Sequence, residues 1–193
     1  EGGATYTAEA YGKLTGRPGV VFVTRGPGAT NAAVGIHTAA QDSTPLVAFV
    51  GQIGSDTVDR EAFQEIDYRR MYSGVAKWAA QIDRADRIPE YVAHAFRIAM
   101  SGRPGPVVLA LPEDMLTARA DVADAPYIEA VAAAPAREAV AEVERRLRDA
   151  KRPLVIVGGS RWDAAARAAL QRFAEASGLP IACAFRHQDL FDN

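Results

Sequence analysis

The chain has 193 residues, 49% of them apolar and 24% charged, with a net charge of −2 at pH 7. That composition suits an ordinary globular protein of one domain or one and a fraction, and it offers neither a basic field for nucleic acid nor an acidic tail. The single Cys183 excludes an intrachain disulfide and a multi-cysteine zinc site, and no apolar stretch approaches the roughly 18 residues of a membrane span, so a cytoplasmic protein is the expectation.

Residues 4–15 read as a helix, with Ala4, Ala8, Tyr11 and Leu14 on one face. After the break at Gly16–Gly19, Val20-Val21-Phe22-Val23 is a continuous apolar run, the pattern of a parallel strand buried on both faces. A turn at Gly26-Pro27-Gly28 leads into a small-residue helix over about 29–40, and Leu46–Val50 is the next buried strand. Residues 54–72 read as irregular or short-helical, and Val75–Ile82 as a strand. Pro89 opens a helix with Val92, Ala95, Phe96 and Ala99 on one face, ended by Gly102. Pro106–Leu111 supplies a further strand. The alternation predicts an α/β fold: a parallel sheet flanked by helices.

From 117 to 135 the sequence turns to Ala, Asp and Pro without an apolar period, which reads as a linker. Residues 136–193 then read as the start of a second, Rossmann-like α/β domain. Its first helix places Val140, Val143, Leu147 and Ala150 inward, and pairs Glu142 with Arg146 and Glu144 with Arg148 at i,i+4 on the wet side. Leu154–Val157 is a strand, 163–176 a helix closed by Gly178, and Pro180–Ala184 begins another strand, with Cys183 as a buried thiol. His37, His94 and His187 have no mutual spacing that suggests a metal or a triad, and no acidic cluster has metal spacing.

Two segments stand out chemically. Gly26-Pro27-Gly28-Ala29-Thr30-Asn31 presents backbone amides at a helix start, suited to an anion or a planar ligand. It is neither a Walker loop nor a dinucleotide fingerprint. Gln52 follows the strand ending at Gly51, at the carboxyl edge where ligands collect in open α/β sheets. Arg103, ahead of a strand, has a donor fork that suits a phosphate, or a local acid.

Glu1-Gly2-Gly3-Ala4, the Gly26–Asn31 turn and Phe63-Gln64-Glu65-Ile66-Asp67 occur in an order that resembles enzymes using thiamine diphosphate to join or cleave 2-keto acids. The resemblance is to the acetolactate synthase large-subunit family. It extends through Gly16–Gly19, Asp42–Val47, Lys77-Trp78, Ser101–Pro106 and Leu111–Asp114, dense over 1–116 and loose beyond. It implies that 1–116 is a pyrimidine-binding domain lacking its first strand, helix and second strand, and that the chain is an excerpt truncated at both ends.

The same resemblance implies roles. Glu1 would activate the cofactor, and Gly26, Pro27, Gly28 and Asn31 would line the pyrimidine pocket. Phe63 would be an apolar wall and Gln64 a hydrogen-bond donor at the substrate end, with Gln52 a further pocket candidate. Arg103 would face the FAD that acetolactate synthases carry, although flavin-free relatives have an arginine here too. Magnesium and the diphosphate would bind in a C-terminal domain beyond the chain, leaving no metal ligand within it. Arg25 stands where the family usually has serine. The whole enzyme would decarboxylate a 2-keto acid such as pyruvate and join the product to a second one. Its active site would lie between subunits of a homodimer or tetramer. Two rivals stay open: another thiamine diphosphate-dependent decarboxylase or carboligase, and a non-catalytic nucleotide-binding module of doubly wound fold.

Overall fold

The computed structural model describes residues 1–131 and 133–191. The chain folds as two compact units, Glu1–Val131 and Ala132–Asn193. The first is built as α1 (Gly2–Thr15), β1 (Gly19–Val23), α2 (Pro27–Asp42), β2 (Leu46–Gln52), α3 (Tyr68–Tyr72), β3 (Trp78–Gln81), α4 (Ile88–Met100), β4 (Pro106–Pro112) and α5 (Glu113–Thr117). Its sheet is wholly parallel, in the order β1-β2-β4-β3. Alternate side chains of each strand point to opposite faces. Leu46, Ala48, Val50, Val108 and Ala110 therefore pack with α1, α2 and α3, while Val47, Phe49, Val107 and Leu109 pack with α4 and Met115 of α5. Helices cover both faces of the sheet, as the alternation predicts.

Three expectations are corrected. β1 is not buried on both faces: it is the sheet edge, and Val20 and Phe22 are 45% and 69% exposed while Val21 is buried. Only the Val21 face of this strand is covered along its length; on the open face Phe22 stacks on Phe49 at 4.6 Å between ring centroids. The strand expected over Val75–Ile82 is shorter, because the amides of Val75 and Ala76 donate to Tyr72 O and close α3. α5 was not expected, although Glu113 and Asp114 in its first turn are ordinary helix-start signals.

The second unit holds α6 (Arg137–Asp149), β5 (Val155–Val157), α7 (Ala164–Ser177) and β6 (Ile181–Cys183), with β5 and β6 parallel. Asp163 caps α7 through Ala166 N, and Gly178 ends it at φ 62. The stripe expected to face inward on α6 does not: no residue of α6 is buried, and Val140 and Val143 are 52% and 57% exposed. A two-stranded sheet offers too little apolar surface to cover it. Both expected ion pairs, Glu142–Arg146 and Glu144–Arg148, are present on this helix.

Candidate active site

α1 and α2 both begin at the carboxyl edge of the sheet, and their first turns lie side by side. Glu1 caps α1, its main-chain carbonyl accepting from the N–H and hydroxyl of Thr5. Its carboxylate reaches across to α2. Asn31 Nδ2 donates to Glu1 Oε2 at 3.4 Å, and a Cβ on Gly28 would meet Glu1 Oε1 at the same distance. Two helix N-termini, each with partial positive charge, thus flank one carboxylate. Glu1 is exposed, so its glycine-rich neighbours do not bury its carboxylate.

Gly26 forms the turn between β1 and α2 at φ 58, ψ −116, a conformation reserved for glycine. A side chain there would also strike the Cβ of Gln64, 2.6 Å from the position its own Cβ would take. The Gly26 turn and the loop bearing Gln64 are therefore in direct contact. That loop is tied at several points. Ser55 donates from both N and Oγ to Asp114 Oδ1, which holds the Asp114 carboxyl below its ordinary range. Glu65 accepts from Asp59 N and Ala62 N. Asp59, Glu61 and Gln64 all have positive φ, at 63°, 53° and 71°. Three non-glycine residues in the left-handed region within one loop are costly, and such strain concentrates at functional sites.

Gln52 lies at the expected strand end but is 5% exposed, with its amide engaged by Ile66 O and Ile53 N. It anchors the loop and does not face a ligand with a free polar atom. Phe63 is 80% exposed and touches no core. Arg103 is not brought to this edge. It lies ahead of β4, at the amino ends of the strands, where it donates to Ser43 Oγ, Ala40 O and Gln41 O. Those carbonyls close α2, and Ser43 sits at φ 59, so Arg103 acts here as a helix cap. Arg103→Ala is expected to lower stability by about 1 kcal/mol, a melting shift of a few degrees. An unchanged melting curve would remove that role.

Sequence reasoning missed the partner of Arg25 and the two tyrosines of this edge. Arg25 pairs with Glu113, joining the chain just after β1 to the chain just after β4. Arg25 was noticed for its departure from serine, but a partner 88 positions away left no local signal. Tyr68 and Tyr72, 2% and 0% exposed, lie below the turn. Tyr68 Oη accepts from Gly26 N at 2.7 Å, and Tyr72 Oη donates to Ala29 O at 2.6 Å. Burial pushes the Tyr72 hydroxyl up to about 12 and raises that of Tyr68. Their i,i+4 spacing directly after the Gln64 loop was the available clue. His37 and His94 are exposed, the latter edge-on to Trp78 at 4.7 Å. No group of three or more His, Cys, Asp or Glu among the described residues could hold a metal. A cavity of about 710 Å³ lined by Tyr11, Arg17, Phe96 and Tyr127 lies away from these motifs, and its lining offers no chemistry comparable to the Glu1 edge. No helix of the described residues is long and apolar enough to cross a membrane.

Residues 1–71 match the thiamine pyrophosphate enzyme N-terminal TPP binding domain, and residues 140–193 the thiamine pyrophosphate enzyme central domain. The acetolactate synthase large subunit of Corynebacterium glutamicum is 38% identical over 186 residues, covering 94% of this chain and 30% of that protein. The corresponding subunit of Lactococcus lactis is 41% identical over 165 residues, or 82% and 28%. The isozyme 3 large subunit of Escherichia coli is 38% identical over 192 residues, or 95% and 33%. The chain thus spans about a third of the length of these relatives. With both domains matched in order, the chain belongs to the thiamine pyrophosphate enzyme family.

Proposed function

We propose that residues 1–116 form the pyrimidine-binding domain of an acetolactate synthase-like enzyme, joined by a linker at 117–135 to the start of its central domain. The observation that carries this reading is the exposed Glu1 carboxylate set between two helix starts, beside Gly28, Asn31 and the strained Gln64 loop. Gly28 lets α2 start this close to the strand end and to Glu1, because a Cβ there would lie 2.5 Å from Thr24 Cγ2 and 3.4 Å from Glu1 Oε1. Thiamine diphosphate, when bound, supplies a carbon acid whose loss of a proton is assisted through its aminopyrimidine ring. Glu1 Oε would hold a proton against the ring nitrogen and return it, acid–base work of the usual kind. Closure of the site by a second subunit would supply the burial that Glu1 lacks here. Asn31 would orient Glu1. Gln64 would donate to the substrate and Phe63 would exclude water from it.

The complete enzyme would decarboxylate a 2-keto acid, pyruvate for example, and transfer the product to a second 2-keto acid. It would work as a homodimer or tetramer, with magnesium bound outside residues 1–193. Arg103 raised the question of FAD, but its guanidinium caps α2. No step is assigned to flavin.

The test is thiamine-dependent release of carbon dioxide from pyruvate by the complete polypeptide carrying this chain. Gln64→Ala should cost product formation about 1–3 kcal/mol with little change in melting. Phe63→Ala should broaden the range of second carbonyl substrates without destabilising, since the ring is exposed. If Gln64→Ala melts far lower and its folded fraction turns over normally, Gln64 belongs to the scaffold. Binding of a purine nucleotide with no thiamine dependence would favour a nucleotide-binding module, and release without acetolactate-type ligation another decarboxylase.

A further inference from the structure

The Gly26 turn and the Gln64 loop lie 38 residues apart in the sequence, yet they must keep one geometry. Their direct contact, Gly26 against the Gln64 side chain, cannot do this alone, because Gln64 is strained at φ 71 and Gly26, with no side chain, is free to leave φ 58. Gln64 relaxes if its neighbour moves. What lies beneath both is α3. It starts one residue after the loop, fixed by Asp67, whose side chain accepts from Arg70 N at 3.1 Å. Its first residue, Tyr68, is 2% exposed and lies in the core cluster with Ala29, Ala32 and Val50. The Tyr68 ring is therefore fixed by packing, and its hydroxyl is a fixed acceptor for Gly26 N–H at 2.7 Å. That N–H belongs to the capping residue of α2 and has no other protein acceptor in the geometry described. Left unpaired in a buried setting, it would favour release of the turn.

We propose that Tyr68 is a positioning residue that locks the cofactor turn to the substrate loop through its hydroxyl, so that the two order as one unit. Tyr72 differs. Its hydroxyl donates to Ala29 O, which already lies inside α2, so it fastens the helix body to the core and not the turn to the loop. Gln52 secures the loop independently through Ile66 O, which is why loss of Tyr68 would loosen the loop without unfolding it. The proposal rests on the functional reading above, but its first readout does not.

Hydrogen exchange on the cofactor-free complete polypeptide separates the two tyrosines. Tyr68→Phe keeps the ring and removes the acceptor. Exchange at Gly26 and over 59–66 should accelerate at least roughly tenfold, while β4 exchanges as before. Tyr72→Phe should instead lower the melting midpoint and leave the 59–66 exchange unchanged. In titrations with thiamine diphosphate, Tyr68→Phe should bind roughly tenfold more weakly, with kcat at saturation within a few fold. Uniformly faster exchange throughout the first unit would make Tyr68 an ordinary core residue and overturn the proposal. So would unchanged exchange at the loop, or a loosened loop with unaltered thiamine binding. None of these outcomes touches the functional reading, which fails only if thiamine binding and thiamine dependence are absent from the unmutated protein.

Discussion

Glu1→Gln in the complete polypeptide is expected to lower turnover of a 2-keto acid by roughly 10²–10⁴-fold, the usual weight of acid–base assistance. The substitution preserves shape and keeps an acceptor for Asn31, whose amide meets the carboxylate at 3.4 Å. It removes only the capacity to hold and release a proton. Melting should barely change, since Glu1 is exposed and caps α1 through its main chain and not its side chain. Thiamine binding should weaken much less than turnover. Steady-state rates beside a binding isotherm check both halves. Turnover within threefold of the unmutated enzyme would take Glu1 out of the mechanism.

The second large effect is on stability, and it acts on the same residue from a distance. α1 crosses the start of β1 so closely that a Cβ on Gly19 would lie 1.9 Å from Ala8 O and 2.6 Å from its carbonyl carbon. Those are backbone atoms, so no rotamer change can relieve the clash. Ala8 is itself 6% exposed and wedged against the core that includes Ile36 and Val21. Gly19→Ala should therefore push α1 off the sheet, at a cost near or above the upper end of the range for overpacked cores, about 3 kcal/mol. In a chain of this size that is a melting shift of roughly 6–12 °C. The displaced helix carries Glu1 at its start, so surviving molecules should also lose activity. Gly3→Ala on the same helix meets nothing within 4 Å and is the matched control. Equal melting of the two variants would contradict the close approach.

The sheet and the existence of its helices were legible because buried parallel strands write continuous apolar runs and helices write a period of three to four; the face of α1 was not, since it buries Thr5, Ala8, Glu9 and Gly12 and leaves Tyr11 and Leu14 exposed. What was not legible depended on neighbours. Val20 to Val23 carries the pattern of a central strand, while within residues 1–193 it is an edge strand with Phe22 exposed. Val140 and Val143 carry the period of a core-facing stripe on a helix that buries nothing. At the site, the motif residues Glu1, Gly26, Gly28, Asn31 and Gln64 are brought together at one sheet edge. Arg103 shows the limit of reading a residue type as a role: a fork of donors fits helix carbonyls as well as a phosphate. Tyr68 and the Arg25–Glu113 pair work across 42 and 88 positions, distances that single-sequence reasoning cannot span.

On the proposed reading the Glu1 carboxyl would assist removal of a proton from bound thiamine diphosphate. The direct measurement is the rate at which that carbon-bound proton exchanges with deuterated solvent on the enzyme, followed by quenched-flow proton NMR without substrate. In Glu1→Gln the exchange should slow at least roughly a hundredfold, with the cofactor still bound. Exchange at the unmutated rate in Glu1→Gln, with the cofactor equally bound, would contradict it.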